Sequence, residues 1–130
     1  MNTLEEFPVS AGYVLSHGNS EMVLCDCGVR TFEQRFRTSL DPASVAFLKK
    51  ESHLPVIADP SQATGNWAYV EEEAMTAVAA GCDGIALNVH NDPENAMAHG
   101  VQSLNPERLL RLTEKLQQIR TIISEGEGEQ

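Results

Sequence analysis

The sequence predicts an α/β fold in which three parallel strands alternate with four flanking helices, and three observations carry that expectation. Short continuous apolar runs recur at residues 22–25, 54–58 and 84–89, the pattern of strands buried on both faces. Each run stops at small polar residues. Between and around them lie stretches with helical spacing or helix-start signals, so the chain reads helix, strand, helix, strand, helix, strand, helix. Such strand–helix–strand crossovers are right-handed and pair their strands in parallel. Three strands do not close a barrel, for which eight is usual, so this sheet is expected to keep free edges.

Each element has its own signals. Thr3 and Glu6 form a capping box ahead of a helix expected over 4–16, with Phe7, Ala11, Val14 and Leu15 on one face. Pro8 would lie beyond the first turn of that helix, where its missing N–H predicts a later start or a kink. The first strand, 22–25, ends at Asp26-Cys27-Gly28. Residues 29–40 carry Arg30, Arg35 and Arg37 without periodicity and read as a long loop. Asp41 as N-cap with Pro42 at the first helical position opens a helix over 42–51. The second strand, 54–58, stops at Asp59-Pro60-Ser61, and an alanine-rich helix over 67–80 closes on Gly81. After the third strand, Asn105-Pro106 opens a helix with Leu109, Leu112, Leu116, Ile119 and Ile123 at helical spacing. Residues 1–124 thus read as one domain, and the acidic, glycine-containing stretch 125–130 as a disordered tail.

Composition narrows the function classes. Nineteen acidic residues against nine Lys and Arg give a net charge of -10 over 130 residues, which argues against a basic face for nucleic acid or an anionic membrane. No apolar stretch approaches the roughly 20 residues that span a bilayer, and the first residues lack a basic leader, so a cytoplasmic protein is expected. Cys25, Cys27 and Cys82 do not make a disulfide scaffold, and Cys25-x-Cys27 lacks the two-residue spacer of redox and zinc motifs. Reduced thiols are expected, with Cys25 and Cys82 in apolar surroundings and His17 and His53 facing solvent.

In parallel α/β folds ligands bind at the carboxyl ends of the strands. Here those ends are Asp26-Cys27-Gly28, Asp59-Pro60-Ser61-Gln62 and Asn88-Val89-His90. Any one of them is explained by turn and capping preferences; three together point to a site. Cys27 and His99 are good zinc ligands, but Gln62 and Asn88 are poor ones, so no metal is expected. Cys27 as a nucleophile would need contact with His90 or His99, which spacing cannot establish. Arg30 and Arg37 read either as phosphate ligands or as surface ion pairs.

Several motifs carry a resemblance: Met1–Phe7, Leu24-Cys25-Asp26-Cys27-Gly28-Val29-Arg30-Thr31-Phe32-Glu33, Lys50-Glu51-Ser52-His53-Leu54-Pro55-Val56, Asp59-Pro60-Ser61-Gln62-Ala63-Thr64-Gly65, and Gly100-Val101-Gln102-Ser103-Leu104. In this order they resemble 3-deoxy-D-arabino-heptulosonate 7-phosphate (DAHP) synthase of type Iβ. The resemblance covers strands six to eight of that family's TIM barrel, the helix before them and the helices after them. It implies a partial TIM barrel, with strands one to five outside these 130 residues.

What the family does then becomes an expectation to be weighed residue by residue. The family condenses phosphoenolpyruvate with erythrose 4-phosphate for aromatic amino acid biosynthesis, using a divalent metal held by Cys, His, Glu and Asp. The resemblance places Gln62 at the His position, Asn88 at the Glu position and His99 at the Asp position, and the Cys outside these residues. It places Cys27 where an Arg holds the phosphate of phosphoenolpyruvate, and Asn66 and Trp67 where paired arginines stand. Arg30, Arg37, Asp59, Ser61 and His90 match. The expectation is a degenerate substrate site at Cys27, Arg30, Asp59, Ser61, Gln62, Asn88, His90 and His99, with no catalytic residue, metal or cofactor. A binding or regulatory subunit or a truncated remnant would follow, either self-associated or paired with a protein that supplies the missing strands, with a small phosphorylated ligand conceivable. The alternative is one part of a split DAHP synthase.

Overall fold

The computed structural model describes residues 3–127. Helix α1 (Glu6–Ser16) precedes strand β1 (Leu24–Asp26); α2 (Pro42–Glu51) leads to β2 (Val56–Ala58), and α3 (Pro60–Thr64) and α4 (Val70–Ala79) to β3 (Gly84–Ile85). Helix α5 (Pro106–Glu127) ends the described chain. The sheet is parallel in the order β1-β2-β3, with Leu24 opposite Val56, Asp26 opposite Ala58, and Ala58 opposite Ile85. Among the described residues β1 and β3 are therefore open edges. Side chains alternate across a strand. Leu24, Val56 and Ala58 are buried in the main core with Val45 and Leu48 of α2 and Ala77 of α4, while Cys25 and Ile57, on the opposite face, are only half-buried. A second cluster joins Val70 and Ala74 of α4 to Leu104 and Leu112, seating α5 beside β3.

Local chemistry explains most boundaries. The capping box forms: Thr3 N donates to Glu6 Oε2 at 2.8 Å and Glu6 N to Thr3 Oγ1 at 3.2 Å. Because α1 starts at Glu6 rather than residue 4, Pro8 falls within the first turn, where no intrahelical N–H donor is needed. Asp41 caps α2 by accepting from Ala43 N at 3.0 Å. Two ties anchor the start of β2 to the turn before β3: Asp83 accepts from Lys49 Nζ at 2.7 Å and from Val56 N at 2.7 Å.

The structure departs from the sequence reading at several boundaries, among them the start of β2, at Val56 rather than residue 54. Strand β1 is 24–26 rather than 22–25, since its ladder follows β2 and runs on through Asp26. Helix α3, with Asp59 as its N-cap and Gly65 (φ 67°) closing it in the left-handed conformation, occupies residues read as a strand stop, so among the described residues five α-helices flank the sheet instead of four. The segment from Trp67 opens as a 3₁₀ turn, Trp67–Tyr69, before α4 proper. Strand β3 ends at Ile85 instead of 89, because β2 has already turned into α3 and offers no further ladder. Helix α5 runs through Glu127, and of the stretch 125–130 expected as a tail, residues 128–130 lie outside the described ones. No described helix is long and apolar enough to cross a membrane.

Candidate strand-end site

Where β3 stops, side chains take over the work of the ladder. Ala86 N still donates to Ala58 O at 2.8 Å, and then Asn88 N turns to Ser61 Oγ at 3.0 Å. On the other side Leu104 N donates to Asn88 O at 2.9 Å and His90 N to Leu104 O at 3.0 Å. Ser61 is fully buried at the start of α3. It is thus the residue that ties the end of the third strand to the end of the second. Asn88 Oδ1 accepts from Gln102 Nε2 at 3.3 Å, and Asp59 Oδ1 accepts from Gln62 N at 2.9 Å.

The loop after β1 is pinned over this same face. Val29 and Ser39 pair across it, Val29 N to Ser39 O at 2.9 Å and Ser39 N to Val29 O at 3.0 Å. Thr38 Oγ1 shares its proton between Cys27 O at 2.9 Å and Ala63 O at 3.1 Å, and Thr38 N also donates to Ala63 O at 3.0 Å. The tie brings Arg37 beside α3, where Nη1 donates to Gln62 Oε1 at 2.8 Å. Sequence reasoning singled out Arg37 and Gln62 without seeing that they pair. Thr38 gave no signal at all, since a lone threonine in an aperiodic loop matches every ordinary turn.

At the end of β1, Cys25 Sγ and Cys27 Sγ stand 3.9 Å apart. Burial, aided by the neighbouring Cys27 and the Asp59 carboxylate, pushes the Cys25 thiol up to about 12. Burial also raises Cys27. Both are neutral thiols at pH 7. Cys82 is buried in the main core, as expected of a small hydrophobe. Asp26 is raised by burial, against the pull of Gly28 N, which donates to Oδ1 at 2.8 Å; its Oδ2 is buried without a hydrogen-bond partner among the described residues. A cavity of about 360 Å³ opens beside these residues, lined by Cys25, Asp26 and Cys27 with Leu4, Phe7 of α1 and Ser44 of α2.

The remaining candidates spread out. Arg30 is exposed and has no hydrogen bond or ion pair among the described residues. His90 Nδ1 accepts from Asp92 N at 3.0 Å. His99 is exposed at φ 58°, and its carbonyl accepts from Ser103 Oγ at 2.8 Å. His17 and His53 are exposed, as expected, although His17 also packs on Tyr13 with ring centroids 4.6 Å apart. Trp67 lies under the Arg108 guanidinium, 3.8 Å from its ring centroid. The geometry therefore joins Asp59, Ser61, Gln62, Asn88 and, through Thr38, Cys27. It leaves Arg30, His90 and His99 at the periphery.

The amide oxygens of Gln62 and Asn88 already accept N–H bonds, one from a guanidinium whose positive charge repels a metal. Among the described residues no three His, Cys, Asp or Glu side chains are grouped so that they could hold a metal ion.

Comparison with known proteins places this arrangement. The chain is 41% identical over 119 residues to a phospho-2-dehydro-3-deoxyheptonate aldolase of Thermotoga maritima, an alignment covering 92% of this chain and 35% of the relative. It is 34% identical over 124 residues to a 2-dehydro-3-deoxyphosphooctonate aldolase of Geotalea uraniireducens, covering 87% of this chain and 44% of the relative. A solved truncated form of 3-deoxy-D-arabino-heptulosonate 7-phosphate synthase from Thermotoga maritima superposes with a TM-score of 0.91 at 40% identity, over 95% of this chain and 47% of that one. The chain thus spans less than half the length of these relatives. The open three-stranded sheet corresponds to part of their fold. The family model for the DAHP synthetase I family matches residues 1–125, and the chain belongs to that family.

Proposed function

We propose that this chain is a non-catalytic member of its family, a part-barrel that keeps the strand-end framework and serves as a binding or regulatory element instead of condensing phosphoenolpyruvate with erythrose 4-phosphate. The observation that carries this reading is the Arg37–Gln62 pair. At the position where the resemblance puts a metal-binding imidazole, an amide oxygen faces a guanidinium at 2.8 Å. Two further substitutions support it. Asn88 in place of a carboxylate offers a neutral oxygen, which binds hard cations far more weakly. Cys27 in place of an arginine offers a neutral thiol where a bidentate phosphate donor would be needed. The cofactor reading is accordingly none.

The experiment is direct. Purified chain with manganese, phosphoenolpyruvate and erythrose 4-phosphate should consume no phosphoenolpyruvate above a no-protein control. Chelator-sensitive turnover would overturn the proposal.

A second reading has its own support. By the resemblance Arg30, Arg37, Asp59, Ser61 and His90 match the family, and Ser61 ties the end of the third strand to that of the second while Asp59 caps α3. On that reading the chain is part of a split synthase, and a partner supplies the remaining strands, the metal-binding Cys and the other phosphate ligands. Either reading gives the open edges of β1 and β3 a use, as the surfaces where a second copy or a complementary chain adds strands.

A further inference from the structure

We propose that Cys25 and Cys27 are a reversible dithiol–disulfide pair, oxidised by a small-molecule disulfide, and that closing the bond loosens the loop 29–40 from the strand-end face. The two sulfurs stand 3.9 Å apart, one on β1 and one just past its end. Residues two apart along an extended chain have Cα atoms about 6.6 Å apart, inside the roughly 4.4–6.8 Å that disulfides span. The sulfurs must still close to about 2.05 Å. That adjustment falls on Cys27. Cys25 is held in the ladder opposite Ile57, while Cys27 has left the sheet and is followed by Gly28 at φ 84°.

The two thiols are unequal, as a stepwise exchange requires. Cys27 is exposed and Cys25 half-buried, and both line the cavity of about 360 Å³ beside the free edge of β1. A small disulfide R–S–S–R therefore meets Cys27 first. The Cys27 thiol gives its proton to solvent and its sulfur attacks one sulfur of the reagent; a Cys27–S–S–R bond forms, and RS⁻ leaves and takes up a proton. Cys25 then loses its proton, its sulfur attacks that of Cys27, and the second RS⁻ leaves. Two protein thiols are oxidised and one small disulfide is reduced to two thiols, a two-electron exchange. Burial raises both thiols, and the Asp59 and Asp26 carboxylates add to it, so the exchange is slow at neutral pH. The same surroundings favour the product. Among the described residues no positive group supports either thiolate, and thiols of raised pKa are poor leaving groups when their disulfide is attacked.

The loop is coupled to this step through Cys27 itself. Thr38 Oγ1 donates to the Cys27 carbonyl at 2.9 Å, and with Thr38 N it also reaches Ala63 O, which brings Arg37 to Gln62. Gly28 leaves no slack there, since a Cβ on it would come within 2.7 Å of Thr38 Oγ1. Drawing Cys27 toward Cys25 shifts the carbonyl that anchors Thr38, and the segment carrying Arg30, Arg35 and Arg37 gains freedom. The inference uses this chain's own residues and holds whether or not catalysis is lost.

The test treats the full chain, at mildly alkaline pH, with cystamine, a disulfide whose positive charges suit the negative field of Asp26 and Asp59. Mass spectrometry should show the loss of two hydrogens, and peptide mapping a bond between Cys25 and Cys27 of one chain; a phosphine should reverse it. Cys82→Ser should behave as the native chain does. Cys25→Ser should stop at a single cysteamine adduct on Cys27, and Cys27→Ser should form no disulfide. In limited trypsin digestion the oxidised chain should be cut after Arg30, Arg35 or Arg37 several-fold faster than the reduced chain, with no such change in treated Cys27→Ser. A lasting cysteamine adduct on the native chain, a bond to Cys82 or between chains, or equal cleavage of the two forms would each overturn the proposal.

Discussion

The Arg37 guanidinium donates from Nη1 to Gln62 Oε1 at 2.8 Å, joining the loop after β1 to α3 at the carboxyl end of β2. In a protein with ten excess negative charges this arginine is matched to a neutral amide, whose oxygen already accepts from the guanidinium. The pair depends on the loop being held down, and Thr38, one residue on, holds it through the carbonyls of Cys27 and Ala63. The strand-end face is thus ordered by its own hydrogen bonds.

Gly28 is the tightest point of that order. It sits at φ 84°, and a Cβ there would come within 2.7 Å of Thr38 Oγ1 and 2.9 Å of Ser39 O. Gly28→Ala should destabilise the chain by about 2 kcal/mol or more, since it combines a left-handed backbone with a steric clash against main chain. Denaturant unfolding measures it. Thr38→Ser, which keeps the hydroxyl, should cost much less than Thr38→Val.

Asp26 gives a pH-dependent expectation with a definite sign. Burial raises its folded-state pKa, so folding favours the protonated carboxyl. Its stabilising contribution is complete below the unfolded value, about 3.9, and is lost as pH rises through the folded value. At pH 7 an ionised Asp26 with an unpartnered buried Oδ2 is a burden on the fold. Asp26→Asn should therefore raise stability at pH 7 by about 1 kcal/mol and not at pH 3. Equal changes at both values would show that the effect is not electrostatic.

The open edges of β1 and β3 predict association. Each offers unpaired backbone donors and acceptors, and the face carrying Cys25 and Ile57 is only half-buried. Light scattering of the isolated chain should give a mass above 14.2 kDa, and an apolar dye should bind. A monomer with a sharp melt and no dye binding would contradict this.

Much of the fold was legible because its signals are local. The Thr3–Glu6 box, the Asp41-Pro42 helix start and the apolar runs around Leu24 and Val56 each act over a few residues, and the structure places α1, α2, β1 and β2 there within a residue or two. What failed depends on partners distant in sequence. The run 84–89 has strand composition throughout, yet it leaves the sheet at Ile85 because Asp59 diverts β2 into α3 and Ser61 takes Asn88 N. Composition cannot tell a strand from an extended segment held by one hydroxyl. The site followed the same rule. Asp59, Ser61, Gln62 and Asn88 meet at one face, as strand-end logic expects, whereas Arg37 reaches it only through the loop path that Thr38 fixes.

The most direct test of the account separates substituted residues from the strands that lie outside these 130 residues. Cys27→Arg, Gln62→His, Asn88→Glu and His99→Asp together rebuild the family pattern on this chain. Restoring two carboxylates and an imidazole supplies metal ligands, and the guanidinium supplies a bidentate phosphate donor. Each form is mixed with a separately expressed fragment of a family enzyme carrying strands one to five, and manganese-dependent consumption of phosphoenolpyruvate with erythrose 4-phosphate is measured. The account predicts turnover from the quadruple variant mixture and none from the native chain mixture. Equal turnover from the native chain would contradict it and make this chain a working part of a split synthase.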